Sequence, residues 1–166
     1  AVLTADIVVN ENVLKSDGTL NDGSFTDWTP IGMWAGDDEY YSYSGIFDGQ
    51  NHTISGLYLN QMRKAGYVGL FGYVGSGGKV SNVRVLDSYF SVNGGVGGVC
   101  GDNDGTIINC YNTGGVSGDY HVGDICGDNY GATVTNCYYL SDTEIDHKDG
   151  TVGKTKEQFA NGEVAY

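Results

Sequence analysis

The segment Val96-Gly-Gly-Val-Cys-Gly-Asp-Asn103 returns almost unchanged as Val122-Gly-Asp-Ile-Cys-Gly-Asp-Asn129, 26 residues later. Each copy is followed by a second echo, Thr106-Ile-Ile-Asn-Cys-Tyr111 and Thr133-Val-Thr-Asn-Cys-Tyr138, and a weaker copy (Tyr67-Val-Gly-Leu-Phe-Gly72, then Val80-Ser-Asn-Val-Arg-Val85) precedes both. A period in this range marks stacked repeats, in which no unit buries its apolar face alone. Val, Ile, Leu, Phe and Tyr recur in short runs between 28 glycines, which reads as many short strands joined by tight turns.

Asn82, Asn109 and Asn136 set the register, 27 residues apart and flanked by Val80 and Val83, Ile107 and Cys110, Val134 and Cys137. Asn tolerates the left-handed backbone that a sharp bend demands, and stacked Asn amides bond to one another. An Asn ladder at a turn is therefore expected. Gly69 and Gly72, Gly97 and Gly101, and Gly123 and Gly127 are read as further bends, with Leu70 and Phe71, Val99 and Cys100, Ile125 and Cys126 between them. An earlier coil is placed over 44–59, with Ile54 one coil before Val80, Leu57 and Leu59 before Val83 and Val85, and Gly56 in the Asn82 place.

The expected fold is all-β: a right-handed, single-stranded parallel β-helix of about four clear coils of 26–28 residues, the hand following the rule for parallel crossovers. Residues 1–43 supply a first coil and cap with a long loop, 44–140 the repeat core, and 141–166 a linker with a short helix. Caps keep strand edges from aggregating. Thr155-Lys-Glu-Gln158 fits a capping box, predicting a helix over about 156–160.

With 21 acidic and 8 basic residues the net charge is −13. Such a surface repels polyanions, so nucleic acid is not an expected partner. There is no run of 18 apolar residues for membrane insertion. The N-terminus opens on strand-like sequence rather than a leader, and the chain is expected to be a mature or trimmed piece of a larger, multidomain protein.

The pieces Trp28-Thr-Pro-Ile-Gly32, Gly45-Ile-Phe-Asp-Gly-Gln-Asn-His-Thr-Ile-Ser-Gly-Leu57 and Gly66-Tyr-Val-Gly-Leu-Phe-Gly72, with the Asn-Cys-Tyr repeats after them, resemble GLUG-motif proteins. The likeness runs from about Leu3 to Leu140, and the tail from Thr155 resembles the segment after the last repeat. Proteins of this kind are bacterial surface proteins, many from gut and oral anaerobes, and the repeats also flank immunoglobulin A-cleaving metallopeptidases. The resemblance implies a β-helical, extracellular, often adhesin-associated module without catalytic residues to carry over.

Candidate sites follow from the columns. Cys100 with Cys126, and Cys110 with Cys137, should stack inward on adjacent coils as small apolar groups. Thiols are favoured over disulfides, since cross-linking in-register parallel strands is awkward, and zinc would need closer ligand spacing. Asp102, Asp104 and Asp128, with Asn103 and Asn129, are weak calcium candidates but are favoured as solvated turn groups. No cofactor is expected. Trp34, Tyr40, Tyr41, Tyr111 and Tyr138 are candidates for binding a glycan or a host or cell-surface protein, since exposed rings anchor both. The alternative is a carbohydrate-active enzyme, a lyase or hydrolase, which needs two close carboxylates, one with a raised pKa. Only Arg63, Lys64, Lys79 and Arg84 are basic between Lys15 and Lys148, which disfavours a lyase acting on acidic sugar.

Overall fold

The structure, a computed structural model, describes residues 1–34, 40–61, 66–141, 145–147 and 150–164. An N-terminal layer holds β1 (Ile7–Val8), β2 (Met33–Trp34) and β3 (Tyr40–Tyr41). Then come three complete turns of five strands. The first comprises β4 (Ile46–Asp48), β5 (Thr53–Ser55), β6 (Tyr58–Gln61), β7 (Tyr67–Val68) and β8 (Phe71–Val74). The second comprises β9 (Lys79–Ser81), β10 (Arg84–Leu86), β11 (Tyr89–Val92), β12 (Gly95–Gly97) and β13 (Cys100–Asn103). The third comprises β14 (Thr106–Ile108), β15 (Tyr111–Asn112), β16 (Gly115–Gly118), β17 (Val122–Gly123) and β18 (Cys126–Asp128). A partial fourth turn has β19 (Thr133–Thr135) and β20 (Cys137–Leu140), and β21 (Ile145–His147), β22 (Thr151–Lys154) and helix α1 (Lys156–Ala160) finish the chain.

Equivalent strands of successive turns pair in parallel, giving five columns: β4-β9-β14-β19, β5-β10-β15-β20, β6-β11-β16, β7-β12-β17 and β8-β13-β18. Only β2 with β3 and β21 with β22 pair antiparallel among the named strands. The chain is thus a parallel β-solenoid, with three full turns where about four coils are expected from the sequence.

Apolar side chains meet their equivalents in register inside the coil. Phe47, Val80, Ile107 and Val134 form one ladder, and Phe71, Cys100 and Cys126 another. Most of these residues are fully buried, and each buried large side chain contributes about 1.5–3 kcal/mol. Asn112, buried in the β5-β10-β15-β20 column, escapes an unsatisfied-polar penalty. Its amide donates to the carbonyls of Gly114 and Asp124 and accepts from Gly114 N–H.

The register of the first turn departs from the expectation. Val80 lies over Phe47, not Ile54, and Ile54 lies beside Val85. Leu59 meets Phe90, not Val85, and Gly56 donates to the Leu86 carbonyl at the next corner, while Gly49 donates to the Ser81 carbonyl and Asn51 to that of Asn82. The cause is extra chain between strands of the first turn: five residues separate Gln61 from Tyr67 where two separate their partners Val92 and Gly95, and four separate Val74 from Lys79 where two separate Asn103 and Thr106. A tight turn at Gln50 and Asn51, both with left-handed φ (48° and 63°), adds two more between β4 and β5, and together these insertions take the first turn out of the 26–27-residue period.

The chain bends between the paired glycines, at 69–70, 98–99 and 124–125, without left-handed backbone at the glycines themselves. Gly97 and Gly101 lack positive φ and are required by close approach. A Cβ on Gly97 would lie 2.1 Å from the Cys100 carbonyl oxygen, and one on Gly101 would lie 2.5 Å from the Val68 nitrogen. Here the β7-β12-β17 and β8-β13-β18 columns pack backbone on backbone.

Residues before 44 cover the first turn. Val2 bridges Asp48, β1 pairs with β5, and Ile31 bridges Phe71. Trp28 donates its backbone N–H to Tyr58 and its indole N–H to the Gly69 carbonyl. The long loop is tied down by Asp87, whose carboxylate accepts from Val13 and Leu14 N–H at 3.1 and 2.7 Å. At the other end α1 has both halves of its capping box between Thr155 and Gln158. The helix lies along the side of the stack: Phe159 meets the Tyr111 ring, and Lys156 reaches the Ser16 carbonyl.

Candidate functional site

The Asn column is a continuous hydrogen-bonded ladder. Asn82, Asn109 and Asn136 have φ of 55°, 54° and 51°. Asn136 Nδ2 donates to Asn109 Oδ1 (3.3 Å), Asn109 Nδ2 to Asn82 Oδ1 (3.0 Å), and Asn82 Nδ2 to Asp48 Oδ1 (2.9 Å). That last bond, with Gln50 N–H, holds the Asp48 carboxyl below its ordinary range. A lowered pKa adds stability above the unfolded value, lost as pH falls through the folded one.

A second amide contact was not foreseen. Asn103 is fully buried, not part of a solvated corner, and donates to Asn129 Oδ1 at 2.8 Å while accepting from Gly105 N–H. Both amides thus serve the scaffold. Among the described residues, no group of three or more His, Cys, Asp or Glu side chains converges as metal ligands.

The cysteines stack as the repeat implies. Cys100 pairs in register with Cys126, Cys110 and Cys137 precede the paired Tyr111 and Tyr138, and no disulfide joins them. Burial and then the Cys137 neighbour push the Cys110 thiol up; for Cys126 the Cys100 thiol acts first and burial second. Cys100, Cys110 and Cys137 are fully buried, whereas Cys126 is half-buried.

Asp102 and Asp128 lie in register on β13 and β18, with Tyr73 of β8 on the same row. They stand on a strand face rather than at a turn. Tyr73 Oη donates to Asp104, and His121 Nδ1 lies 3.2 Å from Asp128 Oδ2. Burial, then the Asp128 and Asp104 charges, raise the Asp102 pKa to about 6, against a partial opposing effect of His121. A raised carboxyl pKa contributes stability that is full below the unfolded value near 4 and is lost as pH rises through about 6. Asp102→Asn is therefore expected to stabilise the protein at pH 8 by about 1 kcal/mol after solvent screening, and to leave it unchanged at pH 4. Thermal melts at the two pH values check this; an equal shift at both would remove the charge explanation.

The aromatic candidates separate. Tyr111 and Tyr138 stack in register, but the outer side of Tyr111 is occupied by Phe159 at 5.4 Å and by Arg84, whose guanidinium sits 5.5 Å from the ring centre. The platform expected there is covered by α1. Trp34 and Tyr40 pair in antiparallel register next to Met33 and exposed Tyr41; the side chains of Trp34 and Tyr40, and residues 35–39, lie outside the described residues.

Sequence reasoning missed another row. Phe25, Tyr58 and Tyr89 run along the β6-β11 face, with ring centres 5.1 and 6.5 Å apart, and all three are half-buried. Asp27 accepts from Gln61 beside them. The row had no periodic signal, because the longer first turn separates Tyr58 from Tyr89 by more than the repeat, and Phe25 belongs to no repeat.

A cavity of about 500 Å³ opens at the C-terminal end over β17 and β18, lined by residues including Val122, Ile125, Cys126 and Tyr139. A groove of about 630 Å³ runs between the Asp17–Gly18 turn and Lys156–Glu157, and a small cavity of about 150 Å³ lies under Phe159. Neither Asp102 nor Asp128 lines any of the three. No helix among the described residues is long and apolar enough to cross a membrane.

No protein-family model matches the chain, and no solved structure matches it significantly. It is 39% identical over 122 residues to halomucin of Haloquadratum walsbyi, which covers 72% of this chain and 1% of that protein. It is 34% identical over 85 residues to a protein described as a Gly-rich membrane protein of Evansella cellulosilytica, covering 49% of this chain and 9% of that one. The chain thus spans a small fraction of either relative's length.

Proposed function

We propose that the chain is a rigid, non-catalytic module of a longer extracellular or cell-surface protein, with a structural or adhesive role, and that the Phe25-Tyr58-Tyr89 face takes the sugar rings of a glycan. The aromatic row carries this reading. Tyr58 and Tyr89 sit on paired strands of adjacent turns, Phe25 packs against the Tyr58 ring from the segment before β2, and ring faces and edges pack against the apolar side of a sugar. The resemblance to GLUG-motif surface proteins and the names of the two relatives agree with a surface location. The net charge of −13 favours neutral over acidic sugars.

A glycan array followed by Tyr58→Ala and Tyr89→Ala tests the proposal. Each substitution is expected to weaken binding about tenfold, as loss of one stacking contact does, while the melting temperature stays near that of the parent. A glycan bound equally well by both variants would sink it, as would an array with no hit.

The second reading, a carbohydrate-active enzyme, draws on Asp102 next to Asp128, since an elevated carboxyl pKa suits a general acid. A reducing-sugar assay on any array hit discriminates the two. Turnover abolished by Asp102→Asn or Asp128→Asn establishes the enzyme; binding without turnover leaves the adhesive module.

A further inference from the structure

We propose that Cys126 is a thiol-modification site beside the cavity over the third full turn, where a small disulfide reagent oxidises it and Cys100 to an inter-turn disulfide, while Cys110 and Cys137 stay reduced. This goes beyond the surface-module reading and does not depend on it.

Three observations bear on the two cysteine pairs, and the first and third distinguish them. The first is access. Cys126 is half-buried and lines the cavity of about 500 Å³ over the last full turn, whereas Cys110 and Cys137 are fully buried. The second is proximity, which both pairs share: Cys100 and Cys126 are in-register partners on β13 and β18, close enough for their thiols to interact, as are Cys110 and Cys137.

The third is freedom to move. In-register parallel strands stand about 4.8 Å apart, while a disulfide wants its Cβ atoms about 3.8 Å apart, so one strand must shift by about 1 Å. β18 is the outermost strand of its column among the described residues, paired only with β13. β20, which carries Cys137, is held on both sides, by β15 and β22. The first pair has a strand that can close the gap, and the second does not.

The chemistry balances as two exchanges. The Cys126 thiolate attacks the reagent's S–S bond, forming a mixed disulfide and releasing one reagent thiolate. Deprotonated Cys100 then attacks the Cys126 sulfur, breaking its bond to the reagent and expelling the second thiolate. Two protein thiols lose two protons and two electrons, and the reagent is reduced to two thiols. Because Cys100, burial and the Asp102 and Asp128 charges all hold the Cys126 thiol protonated, the reaction is slow at neutral pH and speeds up on the order of tenfold per pH unit.

The test treats the folded chain with bis(2-hydroxyethyl) disulfide between pH 7 and 9, quenches with acid and maps the peptides by mass spectrometry. The expected product has one Cys100–Cys126 bond, with Cys110 and Cys137 recovered as thiols, and melts at a higher temperature than the reduced protein. Cys126→Ser is expected to abolish the bond, and Cys100→Ser to halt at the mixed disulfide; both variants are read only after their circular dichroism matches the parent. A persistent mixed disulfide on Cys126 in the parent would overturn ring closure. Thiols consumed only after denaturation, or a bond through Cys110 or Cys137, would overturn the assignment.

Discussion

Asn109→Leu is expected to destabilise the protein by about 3 kcal/mol, read as a lowered urea midpoint with an unchanged slope. Two losses combine. Leu must adopt the left-handed φ of 54° that Asn accepts, at about 1–2 kcal/mol. Its side chain also breaks the bonds that Asn109 donates to Asn82 Oδ1 and accepts from Asn136 Nδ2; losing such bonds costs about 1–3 kcal/mol, less where water reaches the outer rung. Asn109→Gly separates the two contributions. Glycine keeps the backbone conformation at little cost, so it should lose only the ladder portion, roughly half. A neutral Asn109→Leu would mean that neither the amide ladder nor the left-handed corner matters to stability.

Gly97→Ala is expected to be at least as severe, on the order of 3 kcal/mol or more, and to lower the soluble yield of the protein. The added Cβ would stand 2.1 Å from the Cys100 carbonyl oxygen and 2.7 Å from that of Ile125. Both contacts are backbone, one within the coil and one in the next turn, so neither yields by a rotamer change. Gly115→Ala is the control, since its nearest neighbour is the edge of the Tyr89 ring at 3.3 Å, which can swing. It should shift stability by less than about 1 kcal/mol. Equal effects at the two positions would contradict the close approach of the β12 and β13 backbones.

The later turns were legible because their lengths are nearly constant. With 26 or 27 residues per turn, equal letters fall on equal places, so the Asn column and the Cys100–Cys126 and Asp102–Asp128 rungs are all read correctly. The capping box at Thr155 was legible for another reason: its bonds span three residues and need no tertiary contact. The first turn misled, since residues added between β4 and β5, β6 and β7, and β8 and β9 change its length without changing its strand-like letters.

Sequence by itself determined the solenoid, the residues that stack and the chemistry of each rung, because a repeat forces identical neighbours wherever the period holds. Only the tertiary structure decided which groups face solvent and which are covered. Phe159 closes over Tyr111, Asn103 turns inward to Asn129, the Phe25-Tyr58-Tyr89 row assembles from unrelated segments, and the end cavity leaves one thiol of four approachable. Exposure depends on chain that arrives from far away in sequence, and no local pattern records where that chain will lie.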